Sequence, residues 1–286
     1  MAKMKLATCQ FPVVKDVKQN LAYALRQISQ ARSKGANLVH FPECCLSGYF
    51  GVELKSLRDA NWDAVTDAMN QVMVAAKQQR VWVVIGCNHR LSGKHKPHNS
   101  LYVINPQGKI VTRYDKMFCT GCNTRDGDLR YYSPGDSFVT FKVRDVTCGM
   151  LICHDFRYPE LFREYKKKGV QLMLVSFHNA RMTLKQYDHY IVSVPVTLQA
   201  AAASNYFYVS GNNGTKRRAW ASFVADPEGK IISKARTHRA AVVVTTIDTK
   251  KKLYDASATC RDRCMSGIYH SGTRVTDSRS RNRKCL

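Results

Sequence analysis

Three side chains have the types and the positions that amide chemistry requires. Glu43, Lys116 and Cys153 supply a carboxylate, an amine and a thiol, and each follows an apolar, strand-like run. An amide carbonyl is a poor electrophile, so its hydrolysis needs a nucleophile, a group that stabilises the oxyanion and a proton for the leaving amine. A thiolate is a strong nucleophile, but a cysteine with its ordinary pKa of about 8.5 is mostly protonated at neutral pH. A base and a cation beside the thiol would overcome this limit.

The chemistry of the three groups indicates a role for each. Lys116 would favour the thiolate of Cys153 and then hold the oxyanion. Glu43 would take the thiol proton, pass it to the departing ammonia, and activate the water that releases the acid from a thioester intermediate. Taken singly, each residue has an ordinary structural explanation, because a thiol at a strand end is usually in the core and a lysine is usually solvated. The catalytic interpretation therefore depends on the three together.

The residues around these groups resemble the signatures of the nitrilase superfamily of carbon–nitrogen hydrolases. The resemblance extends from Gln10 to beyond the turn at 226–229. It implies a Glu–Lys–Cys triad, no cofactor, no metal, and a homodimer or larger homo-oligomer. The residues after the cysteine are more similar to the amidase and N-carbamoyl amide hydrolase branches than to true nitrilases. The motifs that carry the resemblance are Phe41-Pro42-Glu43, Tyr114-Asp115-Lys116, and Cys153 with Arg157-Tyr158-Pro159-Glu160.

The resemblance implies a fourth catalytic residue between the lysine and the cysteine. Many members of the superfamily carry a second glutamate six residues before a Pro-Gly pair. Here Asp128 stands six residues before Pro134-Gly135, and its side chain is one methylene shorter. We expect Asp128 to orient Lys116 or the attacking water, with Asp126 as the alternative.

The resemblance also implies which residues bind the substrate. His178 and Asn179 match the family loop that lines the pocket, and Tyr49 is expected in its wall. His154 stands where tyrosine or tryptophan is commoner in the family. We expect His154 to contact the substrate and its backbone N–H to help stabilise the oxyanion, whatever its side chain.

The chain contains a weak internal duplication. Residues 105–110 and 226–231 are near copies, and each predicts a hairpin turn between apolar runs. Each half also opens with a strand–helix–strand pattern, and such units form parallel strand pairs with right-handed crossovers. Catalytic groups in open α/β sheets lie beyond the carboxyl ends of strands. Together with the resemblance, these patterns predict an α/β fold, a four-layer α-β-β-α sandwich of two mixed β-sheets with a pseudo-two-fold internal duplication.

The remaining elements fit one domain. Residues 62–79 predict a helix, and residues 199–204 predict another with Pro195 near its start. We expect residues 1–286 to form a single carbon–nitrogen hydrolase domain. Its last part, residues 250–286, is polar, basic and poorly periodic, which predicts an extended C-terminal tail or arm.

The composition limits the classes of partner. The 286 residues include 44% hydrophobic residues and carry a net charge of +24, which attracts anions in general. We expect no nucleic-acid partner, because no helix-turn-helix, zinc-finger or RNA-binding signature accompanies the charge. No apolar run approaches the ~20 residues of a membrane span. The basic N-terminus also lacks the apolar core of a signal peptide, so we expect a cytoplasmic protein without a membrane partner.

The eleven cysteines permit a second interpretation. Cys119 with Cys122 and Cys260 with Cys264 form two pairs that could together bind zinc. The pairs lie far apart in the sequence and the second spacing is loose for a zinc site. Small buried or partly exposed thiols are the simpler explanation.

The favoured function is a cysteine-dependent hydrolase of a small-molecule amide or N-carbamoyl compound, which releases ammonia. Two alternatives stay open. A catalytically silent relative could use its basic surface to bind partners or nucleic acid, although the intact set of Glu43, Lys116 and Cys153 argues against it. A true nitrilase would act on a nitrile, although true nitrilases usually continue from the cysteine with Trp-Glu, not with the His154-Asp155 found here.

Overall fold

The chain folds into two β-sheets flanked by helices. The computed structural model describes residues 3–121, 125, 127–179, 182–216 and 218–284. The strands of this part of the chain are β1 (Lys3–Gln10), β2 (Leu38–His40), β3 (Trp82–His89), β4 (His98–Ile104), β5 (Ile110–Asp115), β6 (Thr140–Val143), β7 (Val146–Ile152), β8 (Leu172–Ser176), β9 (Tyr208–Asn212), β10 (Phe223–Ala225), β11 (Ile231–Lys234) and β12 (Ala241–Asp248). Its helices are α1 (Val17–Ser33), α2 (Trp62–Gln79), α3 (Pro159–Lys167), α4 (Leu184–Asn205), α5 (Arg261–Met265) and α6 (Ser278–Arg281).

The two sheets share one plan. Their strand orders are β12–β1–β2–β3–β4–β5 and β11–β10–β9–β8–β7–β6. In each sheet three parallel strands, β1 to β3 or β7 to β9, are followed by two antiparallel strands. A further antiparallel strand, β12 or β6, pairs with the first strand of each set. The predicted sandwich of two mixed sheets with an internal duplication is confirmed.

The two near-copy segments form equivalent hairpin turns, between β4 and β5 and between β10 and β11. Asn105 Oδ1 accepts hydrogen bonds from the backbone N–H groups two and four residues later, at 3.1 and 2.9 Å. Asp226 Oδ1 accepts the same two bonds, both at 3.0 Å. Gly108 and Gly229 close the turns with φ of 74° and 82°, which L side chains rarely adopt. The similar sequences thus make the same turn twice.

Local capping explains where the helices begin. Asn61 accepts a hydrogen bond from the backbone of Ala64 and caps α2, which confirms the helix predicted at 62–79. The boundary predicted for the later helix is wrong, since α4 begins at Leu184 and Pro195 lies inside it. Thr183 and Gln186 cap each other at the start of α4. Burial of the helix beyond the proline compensates for the one backbone hydrogen bond that proline cannot make.

The alternation of side chains along the strands separates two cores. On β1, Leu6 belongs to the core between the two sheets, whereas Ala7 and Cys9 pack against α1 and α2. Successive residues of a strand point to opposite faces, so one strand serves both cores. β2 ends three residues before Glu43, and β7 ends immediately before Cys153.

The turn that follows β2 lies directly on β3. A β-carbon added at Gly86 of β3 would lie 2.2 Å from the carbonyl oxygen of Pro42 and 2.5 Å from the backbone nitrogen of Cys44. The turn also contains a left-handed residue, since Cys44 has a φ of 48°. The backbone that carries Glu43 can therefore approach β3 only because residue 86 has no side chain.

Residues beyond β12 pack against α3 and α4 and then become exposed. Arg261 binds Asp255 and donates a hydrogen bond to the carbonyl oxygen of Ser204 at the end of α4. From Ser266 to Lys284 every residue is exposed. None of the helices in the described residues is both long enough and apolar enough to cross a membrane.

We expect Gly86→Ala to destabilise the protein by about 1–3 kcal/mol or more, because the new methyl group would overlap rigid backbone. The matched control is Gly272→Ala, at an exposed position where an added β-carbon meets nothing within 4 Å. Its free energy of unfolding should stay within about 0.5 kcal/mol of that of the wild type. Urea unfolding of the three proteins measures both values. Equal stability of the two variants would show that the turn at Glu43 does not depend on the missing side chain.

Candidate active site

Cys153 lies at a sharp bend where β7 ends. It has a φ of 46°, a left-handed conformation that is rare for a residue with a side chain, and it begins a short 3-10 turn. Asp155 holds the bend, because its carboxylate accepts hydrogen bonds from the backbone of Ile152 (3.0 Å) and Phe118 (2.8 Å) and from the hydroxyl of Tyr114 (2.8 Å). These bonds join the thiol-bearing bend to the segment around Lys116.

Glu43 is fully buried and uses one carboxylate oxygen for two hydrogen bonds. Its Oε1 accepts from Lys116 Nζ at 3.0 Å and from Asn99 Nδ2 at 2.7 Å. Its Oε2 is buried and has no hydrogen-bond partner among the described residues. A buried carboxylate oxygen without a donor is costly, so it marks a place where a proton or a ligand can bind.

Lys116 is a buried cation between two carboxylates. Its Nζ lies 3.0 Å from Glu43 and 3.0 Å from Asp128, and its side chain is 1% exposed. It also donates to Thr120 Oγ1 at 3.2 Å and to the hydroxyl of Tyr49 at 3.3 Å. Burial alone would lower the pKa of Lys116, but the charges of Glu43 and its other neighbours outweigh this and raise the pKa well above its usual value. Lys116 is therefore a permanent ammonium group.

Asp128 receives three donors on one oxygen. Its Oδ2 accepts hydrogen bonds from the hydroxyl of Tyr49 (2.6 Å), the backbone of Thr120 (2.9 Å) and Lys116 (3.0 Å). Burial opposes ionisation, but Lys116 and these donors lower the pKa of Asp128 below its usual value. The alternative, Asp126, lies outside the described residues.

The thiol of Cys153 is protonated in this arrangement. Burial is the largest cause, and the charge of Glu43 is the next, so the pKa of the thiol is raised well above its usual value. Lys116 and a hydrogen bond from the backbone of His178 oppose the rise. Formation of the thiolate therefore requires a base that accepts the proton within the site.

A cavity of about 220 Å³ opens onto the thiol. The four residues predicted to bind substrate, Tyr49, His154, His178 and Asn179, all line it together with Cys153. Asp128, Thr120 and Gln186 add further polar groups to its lining, and the other lining residues are Val52, Phe156, Met182 and Tyr190. A larger cavity of about 560 Å³ lies between α3, α4 and α5, and Cys153 is not among its lining residues.

Sequence reasoning missed one charged residue of the site, Glu53. Its side chain is 2% exposed and contacts His178 Nε2 (3.1 Å), Lys216 Nζ and the backbone N–H of Tyr49 (3.0 Å). Although burial opposes ionisation, the hydrogen bonds and charges of His178 and Lys216 lower the pKa of Glu53 to about 2. No motif or periodicity in the sequence marks Glu53, because its side-chain partners His178 and Lys216 are 125 and 163 residues away.

The described residues contain no group of three or more histidine, cysteine, aspartate or glutamate side chains placed to hold a metal ion. Cys119, Cys260 and Cys264 are among these described residues. Cys122, one of the four cysteines considered for zinc, lies outside the described residues.

Comparisons with known proteins identify the family of the chain. A model of the carbon–nitrogen hydrolase family matches residues 5–251. An omega-amidase of Xenopus tropicalis is 28% identical over 253 residues, which cover 85% of this chain and 88% of that protein. The omega-amidase of Homo sapiens is 27% identical over 262 residues, covering 88% and 91%. An amidase of Nesterenkonia sp. AN1, solved with the acetamide moiety of fluoroacetamide on its active-site cysteine, has a TM-score of 0.75 and 20% identity, covering 86% of this chain and 90% of that one.

The chain belongs to the carbon–nitrogen hydrolase family, since the family model spans most of its length. The predicted membership of the nitrilase superfamily, on its amidase side, is confirmed. The predicted class of enzyme, a carbon–nitrogen hydrolase, is confirmed with it. The resemblance to the solved amidase confirms the fold.

The pKa of Glu53 predicts a pH-dependent contribution to stability. The pKa is about 2 in the folded protein against an ordinary 4.5, so the contribution is complete above pH 4.5 and is lost as the pH falls towards 2. A shift of this size corresponds to about 3 kcal/mol. Urea unfolding of wild type and Glu53→Gln should show the larger difference in stability at pH 6 and a smaller one near pH 3. A difference that is constant over this range would contradict the lowered pKa.

Proposed function

We propose that this protein hydrolyses a small amide or N-carbamoyl compound through a thioester on Cys153. The observation that carries the proposal is the buried Oε2 of Glu43, which lacks a partner beside the fixed ammonium of Lys116 and the protonated thiol. A base with a free oxygen and a permanent cation interact electrostatically with a nucleophile that lines the cavity. This is the set of groups that acyl transfer from an amide requires.

In the first half of the reaction Glu43 accepts the thiol proton and the sulfur of Cys153 forms a bond to the amide carbon. The carbonyl oxygen becomes an oxyanion, which Lys116 and the backbone N–H of His154 stabilise. Glu43 then gives its proton to the amine as the carbon–nitrogen bond breaks. Ammonia leaves and a thioester remains on the sulfur.

In the second half a water molecule takes the place of ammonia. Glu43 accepts a proton from the water as its oxygen attacks the thioester carbon, and Lys116 again stabilises the oxyanion. The carbon–sulfur bond breaks, the sulfur regains the proton, and the acid is released. The thiol proton leaves with ammonia and a proton from water replaces it, so Cys153 and Glu43 end the cycle in their starting states.

Asp128 takes the position of the fourth catalytic residue in this proposal. Its carboxylate lies 3.0 Å from the Lys116 ammonium and stabilises its charge. The hydroxyl of Tyr49 bonds the same carboxylate oxygen and also accepts from Lys116, which fixes the direction of the ammonium. The aspartate is therefore long enough to contact the lysine, although it is shorter than the family's glutamate.

The substrate is a small molecule in this proposal. A cavity of about 220 Å³ has room for a compact substrate, and its lining combines polar groups such as Asp128 and Asn179 with apolar side chains. Omega-amidases and an amidase are among the relatives of the chain, which supports an amide over a nitrile. The alternatives of a true nitrilase and of a silent relative gain no support over amide hydrolysis.

We also infer a homodimer or larger assembly and a cytoplasmic location. Four apolar side chains of α4 are exposed, Leu184 (63%), Ile191 (39%), Val192 (61%) and Val196 (58%), and such a stripe on one helix is typical of an interface. Buried free thiols such as Cys9, Cys45 and Cys87 favour a reducing compartment.

We expect Cys153→Ala to lose all measurable ammonia release from a panel of small amides and N-carbamoyl acids, because the covalent nucleophile is gone. Loss of such a nucleophile typically costs several orders of magnitude in rate. Mass spectrometry of wild type after rapid quenching should show an acyl adduct on the peptide that contains Cys153. Cys264→Ala, at an exposed thiol that does not line the cavity of Cys153, is the control and should keep wild-type activity. Turnover by pure Cys153→Ala would refute the proposed mechanism.

We expect sedimentation velocity to show at least twice the mass of one chain. Val192→Glu with Val196→Glu should shift the assembly towards monomers, because two charges would replace apolar contacts on α4. Val74→Glu, at an exposed apolar residue of α2, is the control. A wild-type monomer over a wide range of concentration would contradict the assembly.

A further inference from the structure

Glu53 is a buried charge that the proposed reaction does not use. Its Oε2 accepts hydrogen bonds from the backbone N–H of Tyr49 at 3.0 Å and from His178 Nε2 at 3.1 Å. Its Oε1 contacts Lys216 Nζ and lies 3.2 Å from His178 Nε2. Burying a carboxylate is costly unless its oxygens are satisfied, and both oxygens of Glu53 are satisfied here.

The partners of Glu53 come from three separate segments. Tyr49 belongs to the turn that follows Glu43, in the first half of the duplication. His178 follows β8 and Lys216 lies between β9 and β10, both in the second half. Glu53 thus joins the half of the chain that carries the base to the half that carries the thiol.

Two of the three contacts of Glu53, those with Tyr49 and His178, lead directly to residues of the proposed reaction. The hydroxyl of Tyr49 bonds both Lys116 and Asp128. The backbone of His178 donates a hydrogen bond to the thiol of Cys153. A displacement of either segment would therefore move the ammonium or the donor to the sulfur.

We propose that Glu53 is a positioning residue, which holds the Tyr49 segment and the His178 segment together so that the thiol stays aligned with its base and its cation. The inference rests on the proposed function for the role of Cys153, but it concerns a residue that touches neither substrate nor reacting atoms. Glu53 acts through the backbone of Tyr49 and the ring of His178.

A carboxylate suits this position better than its amide. The groups that point at Glu53 are all donors: a backbone N–H, a ring nitrogen and an ammonium group. A carboxylate offers acceptors on both oxygens, whereas glutamine would turn an NH₂ group towards one of the donors. Glu53→Gln keeps the volume of the side chain but breaks one side of the connection.

The test compares Glu53→Gln with Glu164→Gln in the 286-residue chain. Glu164 pairs with Lys167 on the surface of α3 and serves as the matched control for loss of one carboxylate. We expect Glu53→Gln to lower kcat by about 10- to 100-fold with KM within about threefold, because small misplacements of reacting groups cost rate and not binding. Glu164→Gln should match the wild type in both constants.

A second measurement needs no substrate and separates this inference from the proposed function. Alkylation of Cys153 by iodoacetamide, followed by mass spectrometry of its peptide, reports the reactivity of the thiol itself. We expect about a tenfold slower alkylation in Glu53→Gln and no change in Glu164→Gln. If no amide on the panel is hydrolysed, the proposed function fails while this measurement still decides the role of Glu53. An alkylation rate within twofold of the wild type would overturn the inference.

Two further variants exclude simpler explanations. If Glu53 only neutralises Lys216, then Glu53→Gln with Lys216→Met should restore the alkylation rate, and such restoration would overturn the positioning role. A rate that stays low in this double variant supports it. His178→Leu removes the ring from the other side of the connection and should slow the alkylation of Cys153 as well. It also keeps the inference testable if Glu53→Gln does not fold, and a wild-type rate in a folded His178→Leu protein would refute it.

Discussion

The buried ammonium of Lys116 is the interaction on which the rest of the site depends. Transfer of such a group from water costs several kcal/mol even after the protein relaxes, so the fold must supply counter-charges at close range. Glu43 and Asp128 do this from opposite sides, each at 3.0 Å. Both carboxylates contact Lys116, which follows β5. The loop after β2 and the short turn at 128–130 are therefore held close to the end of β5. The catalytic cation is therefore part of the folded core, and its geometry is set before any substrate arrives.

The duplicated plan explains how the base and the thiol meet. In the shared order of strands, β1 corresponds to β7 and β2 corresponds to β8. Glu43 follows β2, but Cys153 follows β7, so the two halves contribute strand ends that are not equivalent. The second-half counterpart of the Glu43 segment carries His178, which bonds the thiol through its backbone and Glu53 through its ring. The duplication thus provides two strand ends at the site. Because these ends are not equivalent, one carries the base and the other carries the nucleophile.

The features that sequence could predict are those whose cause is local. The helix at 62–79 begins at the cap Asn61, and the triad residues end apolar runs inside short motifs. Asp128 could be found from its spacing to Pro134-Gly135, and the structure places it against Lys116. The predicted start of α4 is wrong. Pro195 suggests a helix start, but burial of the residues around it stabilises one continuous helix that contains the proline. Glu53 could not be found, since its partner His178 is 125 residues away and no periodicity reports such a contact.

The charge balance at the site differs from the strongly positive net charge of the whole chain. Glu43, Asp128 and Glu53 are paired in the interior with two ammonium groups, Lys116 and Lys216, so this cluster carries more carboxylates than ammonium groups. The excess of +24 therefore lies elsewhere, much of it on exposed residues such as those beyond β12. Charges on the surface are screened beyond about 8 Å at physiological ionic strength. The surface can raise the concentration of anions near the protein, but the groups that select the substrate at Cys153 are those that line the cavity.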